Sequence, residues 1–326
     1  MNIKTRIMAA ALAVGVAAPV VAEELKFANF TPPFHTINAS VIEKLNADLS
    51  AATGGDLTVR GYHGGELGAG PVEQYVRVLQ GVADLGWGLP GYTSSQFKKT
   101  MIAELPNTLT LDAPGYEALW KAYDPYLKAE FPGTIPVALW TSEPNIFIMK
   151  DHEIRSPADL KGLKVRVAGA TAADVATALG ATPVQMPITQ VYNALQTGLI
   201  DGVITGASTL SDFKLDEVAN SYTLGANLGR LVFWAVLNEA KYNSLSDAQK
   251  AAVDAASGAT LSKSAEDAWN KTADAALEVA RAASDNVVID LSDAEVAAFA
   301  EAVASVTNAY VDAVGGKDTL SAMQGM

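Results

Sequence analysis

The chain of 326 residues contains no cysteine and only three histidines. Without cysteine, disulfides, thiol catalysis and thiolate metal sites are excluded. The histidines, His35, His63 and His152, have no partner histidine three to five residues away, so the spacing typical of a metal site is missing. The sequence therefore predicts neither a bound metal ion nor a cofactor.

Motifs of common hydrolytic and nucleotide-dependent enzymes are also missing. The chain has no Gly-x-Ser-x-Gly segment, which an α/β-hydrolase needs to present its nucleophile. The glycine-rich stretch at 65–70 lacks both the GxGxxG order and the lysine of a phosphate-binding loop. We therefore predict that the protein is not an enzyme, and a periplasmic hydrolase stays open as a less favoured alternative.

Only one long apolar run is present, and it lies at the N-terminus. Lys4 and Arg6 precede an apolar stretch at 7–21, and Val20 and Ala22 stand where signal peptidase needs small residues. This layout predicts a signal peptide over 1–22, because the run is too short for a permanent membrane span. A retained anchor is the alternative. We expect a periplasmic protein without a lipid anchor, since no cysteine follows the run.

Positive charge is scarce, with 23 basic against 36 acidic residues and a net charge of −13. Loss of Lys4 and Arg6 with the signal peptide would make the net charge −15. Such a chain is repelled by nucleic acid, although one buried arginine can still dominate a closed cleft. Removal of 22 residues would leave 304, a size at which single cores usually divide. Two lobes are therefore expected.

Strand-like and helix-like patterns alternate along the chain. Short β-type runs occur at 25–30, 57–62 and 163–167, and apolar residues at helical spacing follow at 37–49. Ser156, which is followed by proline and then by an acid at the third position, is typical of a helix start. The alternation predicts an α/β fold with parallel sheets covered by helices.

Two segments resemble each other within the chain. Residues 74–86 and 190–202 each contain a helix pattern ending in Leu-Gln, then a glycine, two apolar residues and an aspartate before a strand. This repeat suggests two lobes built on one plan, although two ordinary helix–glycine–strand units would look alike by chance. The alanine-rich stretches at 247–279 and 293–314 predict long helices near the C-terminus.

An ordered series of motifs resembles a known family. The series is DLKGLKVRV at 159–167, ALGATPVQMP at 178–187, VYNALQTGLIDG at 191–202 and FKLDEV at 213–218, with GVADLG at 81–86 and VLN at 236–238. Together these segments look like the DctP-type extracytoplasmic solute receptors of TRAP (tripartite ATP-independent periplasmic) transporters. The resemblance extends over nearly the whole chain that follows the signal peptide.

The resemblance implies two Rossmann-like α/β lobes with the ligand cleft between them, joined by crossing strands and a long C-terminal connecting helix. We place lobe one at 23–145 plus about 235–275, and lobe two at 146–234 plus about 276–326. It also implies that Arg166, in the first of these motifs, is the main ligand-holding residue. A guanidinium can hold a carboxylate through two parallel hydrogen bonds, which lysine cannot do.

The sequence departs from the family pattern at two places. Where sugar-acid and dicarboxylate receptors of the family commonly carry a Glu-Asn-Pro type segment, this chain has Val203, Ile204, Thr205 and Gly206. A second basic residue near the lobe crossing is not evident around Asn145. We therefore expect a monocarboxylate, such as a 2-oxo, hydroxy or aromatic acid, in preference to a C4-dicarboxylate.

The remaining candidate ligand contacts lie at strand ends and in the loops that follow them, where ligands gather in open α/β sheets. They are Phe34, His35, Trp87, Gly88, Trp140, Asn145, Met186, Pro187, Thr205 and Trp234. For each aromatic residue ordinary core packing is the alternative. His35 is expected either to donate a hydrogen bond to an acid or to stabilise the helix that follows it.

Taken with the resemblance, the sequence predicts a monomeric periplasmic receptor that closes on a small organic acid and delivers it to a TRAP permease. The resemblance implies two membrane partners, one small and one large subunit, driven by an ion gradient. Nucleic acid is not expected as a partner. An ATP-driven transporter's binding protein and a receptor for a signalling partner remain alternatives, because both share the two-lobed design.

Overall fold

The computed structural model describes residues 22–110 and 113–325. The predicted signal peptide therefore lies outside the described residues, apart from Ala22. Within the described part of the chain, none of the helices combines the length and the apolar character that a membrane span requires.

The strands form two separate sheets. In chain order they are β1 (Glu23–Ala28), β2 (Leu57–Tyr62), β3 (Leu85–Gly88), β4 (Thr134–Thr141), β5 (Ile146–Met149), β6 (Lys164–Val167), β7 (Thr182–Gln185), β8 (Gly202–Thr205), β9 (Ser221–Leu224), β10 (Val232–Asn238) and β11 (Val287–Asp290). The first sheet has the order β2-β1-β3-β10-β4, and the second has the order β11-β9-β5-β8-β6-β7.

Helices cover the sheets. They are α1 (Lys44–Thr53), α2 (Gln74–Leu79), α3 (Gly115–Ala122), α4 (Ala170–Ala178), α5 (Val191–Gln196), α6 (Thr209–Asp212), α7 (Glu239–Ser244), α8 (Asp247–Ala256), α9 (Ala259–Ala282), α10 (Asp293–Val303), α11 (Val306–Ala313) and α12 (Lys317–Gln324). Single 3₁₀ turns occur at Pro90–Thr93, Thr100–Glu104, Lys128–Glu130, Pro157–Leu160, Ile188–Gln190 and Leu215–Glu217, and π-helical turns at Asn38–Glu43 and Tyr123–Leu127.

Each sheet is mixed and combines parallel with antiparallel strand pairs. In the first, β1 pairs in parallel with β2 and β3, whereas β10 runs antiparallel to β3 and β4. In the second, β6 is parallel to β7 and β8, and β5 is antiparallel to β8 and β9. These two sheets confirm the predicted α/β fold, with one sheet in each lobe.

Two neighbouring segments carry the chain between the sheets. One joins β4 to β5 and the other joins β9 to β10. The segments are hydrogen-bonded to each other, because the backbone N–H of Ser142 donates to the carbonyl of Leu231 at 2.8 Å and that of Asn145 donates to Gly229 at 2.9 Å. Connecting segments between two lobes are where a hinge is expected.

Helix α9 connects the two lobes at one side. It packs against β4 in the first lobe and against α6 and β11 in the second. The buried carboxylate of Glu266 on α9 accepts hydrogen bonds from the backbone N–H groups of Gly115 and Tyr116 at 2.7 and 2.9 Å, which satisfies the free donors at the start of α3. The predicted long connecting helix is thus present, and α12 returns to pack against α3.

Some local predictions are confirmed and others need correction. The strand predicted at 57–62 is β2, and both copies of the internal repeat fold as a helix, a glycine with positive φ and a strand. Ser156 forms its capping box, but only a 3₁₀ turn follows, because the chain extends again at Lys161. The helix predicted at 247–279 is broken at Gly258, whose N–H donates to the carbonyl of Val137.

Candidate ligand-binding site

A cavity lies between the two sheets, where the first and second lobes close on each other. The space between protein atoms there, counted together with the solvent at its mouth, is about 430 Å³. The first lobe lines it with Phe30, His35, Trp87, Leu89, Tyr92 and Phe233. The second lines it with Arg166, Thr205, Gly206, Ser208, Asp212 and Phe213, and α9 adds Trp269. Most of these residues lie at or just beyond the carboxyl ends of β1, β3 and β8, which is where open α/β sheets bind ligands.

Arg166 is the cationic side chain of the cavity. It is 1 % exposed and lies on β6, where alternation turns it away from Val165 and Val167. Its Nε donates to the carbonyl of Met186 at 2.9 Å, and its Nη2 is buried without a hydrogen-bond partner in the described chain. Burial lowers the pKa of Arg166 and the neighbouring Tyr92 raises it, and an arginine stays charged at neutral pH. A buried N–H of a cation is costly to leave without an acceptor, so Nη2 is a group that could hold an anion.

Thr205 places a hydroxyl beside this arginine. It ends β8, the strand that pairs with β6 so that Arg166 lies opposite Val203. Since side chains two residues apart on a strand share a face, Thr205 lies on the same face as Val203. Its Oγ1 is buried and has no partner among the described residues. It can therefore donate a hydrogen bond to an anion that Arg166 holds.

The opposite wall is aromatic. Phe30 stacks on Trp87 with ring centroids 4.5 Å apart and an interplanar angle of 17°. Phe233 packs against Trp269 at 5.3 Å. A wall of flat, rigid rings of this kind favours contact with an apolar, planar part of a ligand.

His35 and Asp212 meet inside the cavity from opposite lobes. The backbone N–H of Ile37 donates to His35 Nδ1 at 3.1 Å, so the proton of the neutral ring is assigned to Nε2. That nitrogen lies 3.6 Å from Asp212 Oδ2. Burial lowers the pKa of His35 to about 3 and raises the pKa of Asp212 to about 6. At neutral pH the pair is therefore a neutral imidazole facing a carboxylate.

A second buried acid lies behind the second lobe's wall. Glu143, in the crossing, accepts the backbone N–H of Ser208 at 2.6 Å, and burial raises its pKa to about 7. A Cβ at Gly206 would lie 2.2 Å from its Oε1. Glycine at position 206 thus leaves room for the Glu143 carboxyl.

Four of the predicted site residues line the cavity: Arg166, His35, Trp87 and Thr205. The other seven predicted site residues are not among the described residues that line the cavity; they are Phe34, Gly88, Trp140, Asn145, Met186, Pro187 and Trp234. Trp140 packs behind Phe233, and the Met186 carbonyl orients Arg166. As direct ligand contacts, all eleven residues remain predictions.

Phe34 and Trp234 illustrate the alternatives to ligand contact. Phe34 is 63 % exposed and lies in a surface groove next to α9. Trp234 packs on Tyr75 and Phe97 inside the first lobe, and a Cβ on Gly88 would lie 2.6 Å from its ring. The glycine at position 88 is therefore explained by packing.

Sequence reasoning did not identify Asp212, Phe213 and Trp269. Phe213 is the first residue of the FKLDEV motif, which was a signal for it, whereas Asp212 directly precedes the motif. Trp269 lies on α9 among small residues and reaches the cavity only because α9 crosses both lobes.

A second arginine is buried at the crossing. Arg230 is 5 % exposed and donates to the carbonyl of Thr110 at 3.1 Å. It is not among the residues that line the cavity. Within 22–110 and 113–325, no group of three or more histidine, aspartate and glutamate side chains is arranged to hold a metal ion.

Two α/β lobes with a buried arginine in the cavity between them define a solute-binding protein of the two-lobed class. The chain belongs to the DctP family, bacterial extracellular solute-binding protein family 7, whose profile matches residues 27–313. Members of this family are the receptors of TRAP transporters, which confirms the predicted recognition. The family and its solved structures are solute-binding proteins and not enzymes.

Known relatives bind different small molecules. The chain is 27 % identical to the ectoine-binding periplasmic protein TeaA of Halomonas elongata, over 80 % of this chain and 77 % of that protein. A TRAP solute-binding protein from Rhodoferax ferrireducens, solved with copurified benzoate, matches with a TM-score of 0.85 at 26 % identity, over 93 % of this chain and 97 % of that one. A marine metagenome protein specific for aromatic acids, solved with 3-hydroxybenzoate, matches with a TM-score of 0.86 at 27 % identity, over 94 % and 98 %.

Proposed function

We propose that this protein is the periplasmic receptor of a TRAP transporter for a small aromatic monocarboxylate, which it delivers to the membrane subunits of the permease. The observation that carries the proposal is the free Nη2 of buried Arg166 in a cavity whose opposite wall is aromatic. Arg166 and Thr205 would hold the carboxylate, and the aromatic wall that includes Phe30 and Trp87 would contact the ring.

Charge favours one carboxylate over two. Among the described residues that line the cavity, Arg166 is the permanently charged cation, and Asp212 brings a negative charge to the same space. A second ligand carboxylate would therefore lie unpaired or close to Asp212, which costs several kcal/mol in a dry cavity. The two neighbours with aromatic acid ligands support the same reading, whereas the ectoine-binding relative shows how far ligands diverge in this family.

The test is calorimetric titration of benzoate and phenylacetate into the wild type, Arg166→Ala and Arg166→Lys. Truncation of a buried charge pair costs about 2–5 kcal/mol, so Arg166→Ala should weaken binding about 30-fold or more. Arg166→Lys keeps the charge but not the paired hydrogen bonds, and it should bind with intermediate affinity. Arg155→Ala is the matched control, because Arg155 is exposed in the same lobe. Equal affinities in Arg166→Ala and Arg155→Ala would contradict the proposal.

A further inference from the structure

The far side of the cavity from Arg166 contains a second unsatisfied polar atom. Asp212 is 6 % exposed, and its Oδ1 accepts the backbone N–H of Thr36 at 3.1 Å. Asp212 lines the cavity, and its Oδ2 is buried and has no hydrogen-bond partner in the described chain. A buried carboxylate oxygen without a donor is costly, so this atom calls for a donor that the protein does not itself supply.

His35 supplies the complementary group. Its Nδ1 is occupied by the backbone N–H of Ile37, which leaves Nε2–H as a donor directed at the same space. The separation of 3.6 Å between Nε2 and Asp212 Oδ2 is too long for a direct hydrogen bond. One oxygen atom can nevertheless lie about 2.8 Å from both atoms, and it would then accept from His35 and donate to Asp212.

We infer that His35 and Asp212 form a hydroxyl-recognition site, so that the ligand is a hydroxylated acid with its carboxylate on Arg166 and its hydroxyl between these two side chains. This inference rests on the proposed function, since it assigns the second end of the same ligand. A hydroxyl is both donor and acceptor and satisfies both residues. An ammonium group only donates, and a ring amino group is a weak acceptor for the His35 N–H because its lone pair is delocalised into the ring.

The two residues belong to different lobes, which gives the site a role in closure. His35 lies in the first lobe after β1, and Asp212 ends α6 in the second. A hydroxyl bound between them bridges the lobes, so it strengthens the closed form more than the open form. Hydroxylated ligands should therefore gain affinity through slower dissociation.

The experiment compares benzoate and phenylacetate with their three ring-hydroxy and three ring-amino isomers, titrated into wild type, Asp212→Asn and His35→Asn. In the wild type, at least one hydroxy isomer should bind about 10-fold or more tighter than its parent acid, the gain expected for a hydrogen bond to a charged group. The matching amino isomer should bind more weakly than the hydroxy isomer.

The variants are chosen to keep the local fold. In Asp212→Asn the amide oxygen still accepts the Thr36 N–H, and a donor replaces the free Oδ2. In His35→Asn the amide oxygen can still accept the Ile37 N–H, and the Nε2–H is lost. Both should reduce the hydroxyl advantage, measured in each variant against its own parent acid, to less than about 3-fold. Asp216→Asn, at an exposed position outside this cavity, should not change this advantage.

The outcomes separate the two claims. If the parent acids bind through Arg166 but the hydroxyl advantage is absent, or persists in both variants, this inference fails and the proposed function stands. An amino isomer that binds as tightly as its hydroxy counterpart also overturns the bridging hydroxyl. If neither the parent nor the hydroxylated acids bind the wild type, the proposed aromatic-acid function itself fails.

Discussion

The first lobe lines the cavity mainly with aromatic side chains, whereas the second lines it mainly with hydrogen-bonding ones. Phe30 and Trp87 represent the first wall, and Arg166, Thr205 and Asp212 represent the second. Neither wall alone would bind a ligand strongly. A charged contact is weak while water surrounds it, and an aromatic wall cannot orient a ligand without a polar group to anchor it. We therefore expect affinity to arise at closure, when the aromatic wall would remove water from the polar one.

Preventing closure should have the largest effect on ligand affinity. The lobes touch at Gly91 and Gly169, and a Cβ on Gly169 would lie 2.5 Å from the Cα of Gly91. Gly169 has an extended backbone, φ −161°, which any residue can adopt. Gly169→Val should therefore fold normally in the open form and bind aromatic acids about 100-fold more weakly, because closed molecules become rare.

The measurement combines calorimetry with small-angle scattering and thermal melting of the ligand-free protein. Ala178→Val, at an exposed position of α4, is the matched control. Wild-type affinity in Gly169→Val would show that the contact between the glycines is not required for binding. A large loss of melting temperature without ligand would show that the two lobes behave as one rigid body.

Glu104, a buried acid of the first lobe, extends the comparison of the two lobes, because it contacts the second lobe outside the cavity. Glu104 Oε2 accepts a hydrogen bond from the Thr171 hydroxyl at 2.6 Å. Burial raises the pKa of Glu104 to about 7, while hydrogen bonds from Thr171 and Val232 lower it. The folded protein therefore binds this proton more tightly than the unfolded chain does. The resulting stabilisation is fully present below the unfolded pKa and is lost as the pH rises through about 7.

Glu104→Gln should remove this dependence. The free energy of unfolding of wild type minus that of Glu104→Gln should fall by about 2 kcal/mol between pH 5 and pH 8, as urea titrations would measure. Other titrating groups, His35 included, are present in both proteins and cancel in the difference. Thr171→Val removes a hydrogen-bond donor that lowers the pKa of Glu104. In that variant the loss of stability with rising pH should therefore extend to higher pH. A pH-independent difference would show that Glu104 is solvated.

The strands and helices could be predicted from the sequence better than the cavity lining, because the former depend on residues close in sequence and the latter on contacts between distant segments. Strand β2 and the paired helix–strand units follow from local alternation and glycine placement, and Arg166 follows from a motif. Asp212 and Trp269 reach the cavity from α6 and α9, which only the folded chain brings together. Phe34 and His35 are neighbours in sequence, yet one faces solvent and the other the cavity, because a loop's direction depends on what packs against it.

The smallest expected effect isolates the aromatic wall. Phe30→Leu retains an apolar side chain but loses the flat ring that stacks on Trp87, so benzoate should bind about 5-fold more weakly. Cyclohexanecarboxylate has the same carboxylate and a similar size without an aromatic face, and its affinity should change by less than about 2-fold. Phe34→Leu, which alters an exposed ring outside the cavity, should affect neither acid. If Phe30→Leu weakened the binding of both acids equally, the first lobe would contribute apolar volume and no specific contact to an aromatic ring. If Phe34→Leu weakened the binding of either acid, Phe34 would be a ligand contact after all.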